Sequence, residues 1–350
     1  MKFIHCSDIH LDSKMERNLS AAQARERNAE VCATFARLVS FASEQGAKAV
    51  IIAGDMFDTE RTTAQTVGFV LDRIRTAPQV DFLYLQGNHD ASAFAGVEIP
   101  ENFKTFQDEW TGFTYENVMI SGMTGDADYT GLNLDPEKVN IVTLHGQIST
   151  QPGEELIALP MLKRKNIDYL ALGHIHSYQT GKLDERGNWC YCGCLEGRGF
   201  DECGKKGFVL LDVEDKQVQH TFVPFARRTL VEVPVDITDL IAVNQILSAS
   251  EAAVQDIPAE NLVKITLTGS CTLETQKDLN FLKKMMEGKF YYLKIKDESR
   301  LKIEKESYEH DISLKGEFIR LVMASDRTEE EKEQMILWGI RALSGEEVAL

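Results

Sequence analysis

The sequence predicts an α/β fold in which two β-sheets pack face to face between outer helices, with a small α+β domain after them. Three observations predict this fold. Short, continuous apolar runs alternate with helical patterns in the first half of the chain, which is typical of a sheet covered on both faces. Strand patterns then predominate as far as Pro224. After Phe225, strands and helices alternate again.

The first elements follow from hydrophobic periodicity. Lys2–Ser7 is an apolar run of strand length, and the stretch from about Ser20 to Glu44 carries an apolar stripe with the helical period. The next segments are a buried strand in AKAVIIAGD, a helix in QTVGFVLDRIRT and a strand in DFLYLQGNHD.

The later segments are mostly strands. One helix is predicted among them, around Glu154–Lys165. A terminal helix is predicted in SDRTEEEKEQMILWGIRALSGEE, with Gly345 just past its end. The predicted domains are 1–225, which carries the polar motifs described below, an α+β capping domain at 226–314, and a C-terminal helical segment at 315–350.

Composition narrows the class of protein. The chain has 350 residues, 43% of them hydrophobic, and no apolar run approaches the roughly 18 residues that a membrane span requires. Seven scattered cysteines do not suggest a disulfide framework, so we expect a cytoplasmic protein. The net charge of −17 weighs against nonspecific adhesion to nucleic acid, although bound divalent cations would supply positive charge locally.

Polar side chains follow five of the predicted strands at the point where each strand ends. Because ligands in α/β sheets bind beyond the carboxyl ends of the strands, we expect these side chains to meet in space. They are Asp8, His10, Asp55, Asn88, His145, His174 and His176.

These seven residues are candidate metal ligands. A single histidine at a strand end is usually structural, but five of the eight histidines occupy such ends, which makes independent accident implausible. Nitrogen and oxygen donors together suit Mn²⁺, Fe²⁺ or Zn²⁺. Seven donors are too many for one ion and enough for two, an arrangement typical of phosphoryl transfer.

The ordered motifs DIH, GDMFD, GNHD, LHG and GHIH resemble the signature of the calcineurin-like metallophosphoesterase superfamily. The resemblance covers residues 1–225 and implies the four-layer αββα metallophosphoesterase fold. Within the superfamily, FIHCSDIHLDS and the stretch after GHIH are most similar to the bacterial SbcD/YhaO-type DNA repair exonucleases.

The resemblance implies a ligand set for each of two divalent ions. The residues that correspond to the ligands of one ion are Asp8, His10, Asp55 and His176. Those that correspond to the ligands of the other are Asp55, Asn88, His145 and His174. Asp55 would therefore bridge the ions. Mn²⁺ is the expected metal, with Fe²⁺, Zn²⁺ and Mg²⁺ as alternatives.

The resemblance also implies catalytic residues. His89 resembles the histidine that contacts phosphate or protonates the leaving group, and Asp58 resembles the residue that orients it. Positive side chains near the motifs are candidate contacts for the DNA backbone. These candidates are Lys14, Arg17, Arg198, Lys205 and Lys206.

The function that this resemblance implies is metal-dependent hydrolysis of DNA phosphodiesters, as an exonuclease or endonuclease in DNA repair or processing. Two alternatives stay open: a phosphodiesterase or phosphatase for small nucleotides, and a noncatalytic scaffold for an ATPase. The implied partners are DNA, an SbcC-like ATPase and a second copy of the chain, with no membrane.

Overall fold

The structure is a computed structural model. The residues it describes are 1–15, 19–58, 62–88, 90, 94, 96–125, 128–302 and 308–343. The chain folds as two compact units, Met1–Leu230 and Val231–Leu350. The predicted three-part division stays a prediction.

The first unit is built mainly from strands. In chain order they are β1 (Lys2–Cys6), β2 (Ala49–Ala53), β3 (Asp81–Leu85), β4 (Phe103–Thr105), β5 (Thr111–Tyr115), β6 (Val118–Gly122), β7 (Val139–His145), β8 (Gln147–Ser149), β9 (Leu156–Ala158), β10 (Tyr169–Gly173), β11 (Gln179–Lys182), β12 (Asn188–Tyr191), β13 (Gly207–Glu214) and β14 (Gln217–Pro224). Its helices are α1 (Ala21–Glu44), α2 (Ala64–Arg75), a 3₁₀ turn (Tyr129–Gly131) and α3 (Leu159–Leu162).

Two sheets contain most of these strands. In the described residues the first sheet has the order β14-β13-β1-β2-β3-β4, and the second has the order β11-β12-β10-β7-β6-β5. Strands β1 to β4 are parallel to one another, and so are β6, β7, β10 and β12. The remaining strands join the sheets antiparallel.

The core lies in layers on both sides of the sheets. Side chains of β1 and β2, such as Phe3 and Ile51, pack with Ile141 and Ala171 of the second sheet. On the other face of the first sheet, Ile4 packs in a cluster that includes residues of α1 and α2. A further cluster covers the outer face of the second sheet. The predicted sandwich of two sheets within an α/β fold is confirmed.

The helix predicted from about Ser20 forms because local signals and packing agree. Ser20 is its N-cap and forms a capping box with Gln23, which satisfies backbone N–H groups that the first turn leaves unpaired. Val31, Phe35 and Leu38 of the predicted stripe are at most 1% exposed.

The helix predicted at Glu154–Lys165 is wrong over most of its length. Leu156–Ala158 is instead strand β9, which pairs in parallel with β8 (Gln147–Ser149). Only Leu159–Leu162 is helical, with Pro160 in its first turn. The strand pairing satisfies the backbone of this segment with partners that a local pattern does not reveal.

The second unit has its own core. Its elements are β15 (Leu230–Asp236), α4 (Val243–Val254), β16 (Leu262–Thr268), β17 (Ser270–Cys271), α5 (Leu279–Met285), β18 (Tyr292–Asp297), β19 (Arg300–Leu301), α6 (Leu314–Met323) and α7 (Glu329–Leu343). The sheet β15-β16-β18 shares a buried cluster with α4 and α5. Helices α6 and α7 pack through Ile319, Val322 and Ile336. Among the described helices, none has the length and apolar character needed to cross a membrane.

Candidate metal centre

Parallel strands of both sheets bring the predicted ligands to one edge of the first unit. Asp8 lies just beyond β1 and Asp55 just beyond β2. Asn88 follows β3, His145 is the last residue of β7, and His174 follows β10 directly. The carboxyl ends of parallel strands are where α/β sheets bind ligands. The strand order therefore explains why residues far apart in the chain meet here.

Asp8, His10 and His176 form a first group of donors. One ligand atom of each lies within 4.8 Å of the others. His10 Nε2 is 3.1 Å from His176 Nε2, and His176 Nε2 is 3.6 Å from Asp8 Oδ1. Asp8 is 1% exposed and His10 2%. A carboxylate with two imidazoles suits a first-row divalent cation.

A second group contains Asp8, Asp55 and His145, whose ligand atoms also lie within 4.8 Å of one another. His145 Nε2 is 3.4 Å from Asp55 Oδ2 and 3.1 Å from Asn88 Oδ1. The ring of His174 lies against that of His145, with 5.4 Å between their centroids. The structure thus brings together the side chains of Asp8, Asp55, Asn88, His145 and His174.

Asp8 is a member of both groups, and Asp55, a member of the second, also faces a histidine of the first. Asp55 Oδ2 is 3.4 Å from His145 Nε2 and 3.9 Å from His10 Nε2. Asp55 is only 2% exposed, and a buried carboxylate requires compensating positive charge. This position suits a carboxylate that bridges two cations.

Hydrogen bonds on Nδ1 fix the imidazoles of His145 and His176. His145 Nδ1 donates to the Ala53 carbonyl at 2.9 Å, and His176 Nδ1 donates to Glu202 Oε1 at 2.7 Å. Such a bond on Nδ1 fixes the ring orientation and directs Nε2 toward a metal. Both Nε2 atoms face the carboxylates of the site. The donor set and its support therefore fit divalent cations.

Asp58 supports His10 in a similar way, with its Oδ1 3.1 Å from His10 Nδ1. Burial raises the pKa of Asp58, but hydrogen bonding with His10 and the charge of Arg198 outweigh it and lower that pKa. The predicted pairing of Asp58 with His89 stays a prediction, because His89 lies outside the described residues.

The carboxylates also change the protonation of the imidazoles. Burial lowers the pKa of His145, but the hydrogen bond and charge of Asp55 outweigh burial and raise it to about 9. For His176, burial acts downward and the hydrogen bond with Glu202 acts upward, so that its pKa is raised overall. A cation bound at Nε2 of either ring would displace a proton, so its binding would be coupled to pH.

The backbone at the site is unusual. Asp8, His10, Asp55 and His174 all have φ between 49° and 98°, a region that non-glycine residues rarely occupy. Gly87 allows close approach of two loops, since a Cβ there would lie 2.1 Å from Asp55 Oδ1. Strained residues concentrate at functional sites, which supports the assignment of this edge as the site.

The sequence does not predict the roles of two carboxylates that support the site. Glu202 holds His176, and Asp90 accepts hydrogen bonds from the backbone N–H groups of Met56, Phe57 and Gly87. Asp90 is the last residue of GNHD, so the motif marks its position but not its partners.

The positive residues predicted to contact DNA have different surroundings. Lys14 and Lys205 are exposed. Lys206 is only 4% exposed and donates from Nζ to the His176 carbonyl at 2.6 Å. Arg198 is paired with Asp58. Lys206 and Arg198 therefore contact the loops of the site, and the predicted DNA contacts of all five residues stay predictions. Arg17 lies outside the described residues.

A cavity of about 390 Å³ adjoins the second group of donors. Asn88 and His145 form part of its wall, and Gln86, Glu154 and Glu155 contribute polar groups. Its described lining contains no lysine or arginine. The cavity is therefore suited to hydrogen-bond donors beside the metal centre.

Comparison with known proteins identifies the class of this chain. Residues 1–178 match the family of calcineurin-like phosphoesterases. An uncharacterized metallophosphoesterase of Bacillus subtilis, YhaO, is 25% identical over 63% of this chain and 60% of its own length. The DNA double-strand break repair protein Mre11 of Saccharolobus solfataricus is 23% identical over 99% of this chain and 96% of its own length.

The family match covers more than half of the chain, and it agrees with a site of gathered carboxylates and imidazoles that fits divalent cations. The chain belongs to the calcineurin-like phosphoesterase family. The predicted resemblance to that superfamily and to YhaO is confirmed. The family uses two divalent metals. The chain spans 60% of the length of YhaO.

Proposed function

We propose that this protein is a two-metal phosphodiesterase of the SbcD/YhaO type that hydrolyses DNA. The observation that carries the proposal is that Asp55 Oδ2 faces an imidazole Nε2 from each group of donors, that of His145 in one and that of His10 in the other. The likeness to Mre11, a DNA double-strand break repair protein, supports DNA as substrate because it extends over 99% of this chain.

The residues have distinct roles in this proposal. Asp8, His10, Asp55 and His176 would hold one ion, and Asp55 with Asn88, His145 and His174 would hold the other. The ions, with Mn²⁺ as the expected species, would supply Lewis-acid stabilisation of charge on the phosphoryl oxygens.

His89 would act on the leaving group. As water adds to phosphorus and loses a proton to solvent, the P–O bond to the sugar would break and the His89 imidazolium would give its proton to the departing oxygen. General-acid catalysis of this kind contributes about 10²–10⁴ in rate. His89 directly follows the proposed ligand Asn88 in the sequence.

Replacement of His89 by alanine is expected to lower DNA hydrolysis by about 10²–10⁴-fold. Binding of Mn²⁺ is expected to change little, since His89 is not among the proposed ligands. The measurement uses end-labelled linear DNA with Mn²⁺, beside Mn²⁺ calorimetry on the same protein. His310→Ala is a matched control, because His310 is exposed in the second unit.

A small nucleotide is the second candidate substrate. The cavity beside Asn88 and His145 favours it, because Glu154 and Glu155 would accept hydrogen bonds from a base or sugar but repel a longer phosphate backbone. The same assay with cyclic and linear mononucleotides separates the candidates. Hydrolysis of the small compounds alone would contradict the nuclease proposal. Inactivity on every phosphodiester would instead support the third possibility, a noncatalytic scaffold for an ATPase.

An SbcC-like ATPase and a second copy of this chain are further proposed partners. Met335 and Trp338 on α7 are each 39% exposed. They are apolar groups accessible to a partner helix. Both partners stay predictions of the resemblance.

A further inference from the structure

Three side chains form a charged bridge behind the first group of donors. Arg198 Nη1 lies 2.5 Å from Asp58 Oδ1, and Arg198 Nη2 lies 2.8 Å from Glu202 Oε1. The backbone N–H of Arg198 also donates to Glu202 Oε2 at 2.7 Å. We call Asp58, Arg198 and Glu202 the arginine bridge.

Each carboxylate of the arginine bridge also contacts a proposed metal ligand. Asp58 Oδ1 is 3.1 Å from His10 Nδ1, and Glu202 Oε1 is 2.7 Å from His176 Nδ1. On the side that faces the site, the Nε2 atoms of His10 and His176 are 3.1 Å apart. One arginine therefore links the supports of two ligands that converge on the same point.

The arginine bridge is partly shielded from water. The side chains of Asp58 and Arg198 are each 20% exposed and that of Glu202 6%. Two carboxylates near one another repel when water does not screen them. The planar guanidinium has several donors in a fixed fork, so it can hold both in set directions.

We propose that Arg198 is a positioning residue for one ion of the pair. By holding Asp58 and Glu202, it fixes how His10 and His176 face the ion that they would share with Asp8. Arg198 itself also lies beside His176, with its Nη2 3.2 Å from His176 Nδ1. The inference rests on the proposed two-metal site but not on DNA as the substrate.

The arginine bridge acts on one side of the site. The support of His145 is different, since its Nδ1 donates to the Ala53 carbonyl. Among the described residues, Asn88 contacts His145 and makes no hydrogen bond or ion pair with the arginine bridge. Loss of Arg198 is therefore expected to weaken one metal site and spare the other.

The test is calorimetric titration of metal-free protein with Mn²⁺. The parent is expected to bind two ions. Arg198→Ala is expected to weaken one site by about 10–100-fold, the usual effect of removing support behind a metal ligand, and to leave the other within a few-fold. Arg186→Ala is the matched control, because Arg186 also pairs with a carboxylate, Asp168 at 2.9 Å, yet has no contact with the ligands among the described interactions.

Further variants keep the test decisive. Arg198→Lys keeps the positive charge but loses the planar fork that holds both carboxylates, so it should weaken the same single site, and it decides the question if Arg198→Ala fails to fold by circular dichroism. Unchanged affinity at both sites in a folded variant, or equal weakening of both, would overturn the role of Arg198. A parent protein that binds no Mn²⁺ would overturn the two-metal site itself and the arginine bridge with it.

Discussion

Asp55→Asn is expected to abolish the binding of both ions and to lower phosphodiester hydrolysis by about 10³-fold or more, equivalent to about 4 kcal/mol of transition-state stabilisation. Asp55 is the carboxylate whose Oδ2 faces both His145 and His10. A neutral amide removes the negative charge that would be shared between two cations. Asparagine also tolerates the positive φ of 50° at this position, so the backbone is expected to persist.

Thermal unfolding separates loss of metal from loss of fold. A ligand that binds only the folded state raises its stability, so Mn²⁺ should raise the melting temperature of the parent and leave that of Asp55→Asn unchanged. Circular dichroism of the metal-free variant should match that of the parent, so that the lost Mn²⁺ response is measured on a folded protein. Asp168→Asn, which alters a carboxylate paired with Arg186, should retain the Mn²⁺ effect. A normal Mn²⁺ response in Asp55→Asn would refute the bridge.

Asp90→Ala is expected to lower the free energy of unfolding by about 3 kcal/mol and to weaken Mn²⁺ binding. Asp90 is 2% exposed and accepts from Met56, Phe57 and Gly87 at 2.8–3.1 Å. Each buried N–H left without an acceptor costs about 1–3 kcal/mol. Met56 follows Asp55 directly and Gly87 precedes Asn88, so the change loosens two ligand loops together.

Asp184→Ala is a matched control for that prediction. Asp184 likewise accepts from three backbone N–H groups, those of Arg164, Arg186 and Gly187. It is only partly buried, so water can replace some of the lost bonds. We expect a smaller loss of stability, measured by chemical denaturation, and unchanged Mn²⁺ affinity. Equal effects of both variants on Mn²⁺ affinity would contradict the anchoring role of Asp90.

The sandwich was predictable because its strands and long helix depend on local patterns. The buried strands are continuous apolar runs, and α1 has both a helical stripe and a capping signal at Ser20. The helix predicted at 154–165 is wrong because β9 is stabilised by pairing with β8. That pairing depends on the path of the chain rather than on its local period.

The donors were more predictable than their supports. Asp8, Asp55 and His145 stand at strand ends, where the topology of a parallel sheet brings residues together. The contacts of Glu202 with His176 and of Asp90 with Phe57 span 26 and 33 positions of the chain. Nothing in the spacing of the motifs specifies such partners.

The most direct test is a crystal structure of the metal-loaded protein with anomalous scattering measured at the manganese edge. Two peaks are expected, about 3.5–4 Å apart as in other paired-metal hydrolases. The Asp55 carboxylate should contact both ions, and each ion should have at least one imidazole ligand from its own group of donors. A single peak, an empty site under saturating Mn²⁺, or a pair of ions that Asp55 does not join would contradict the proposed centre.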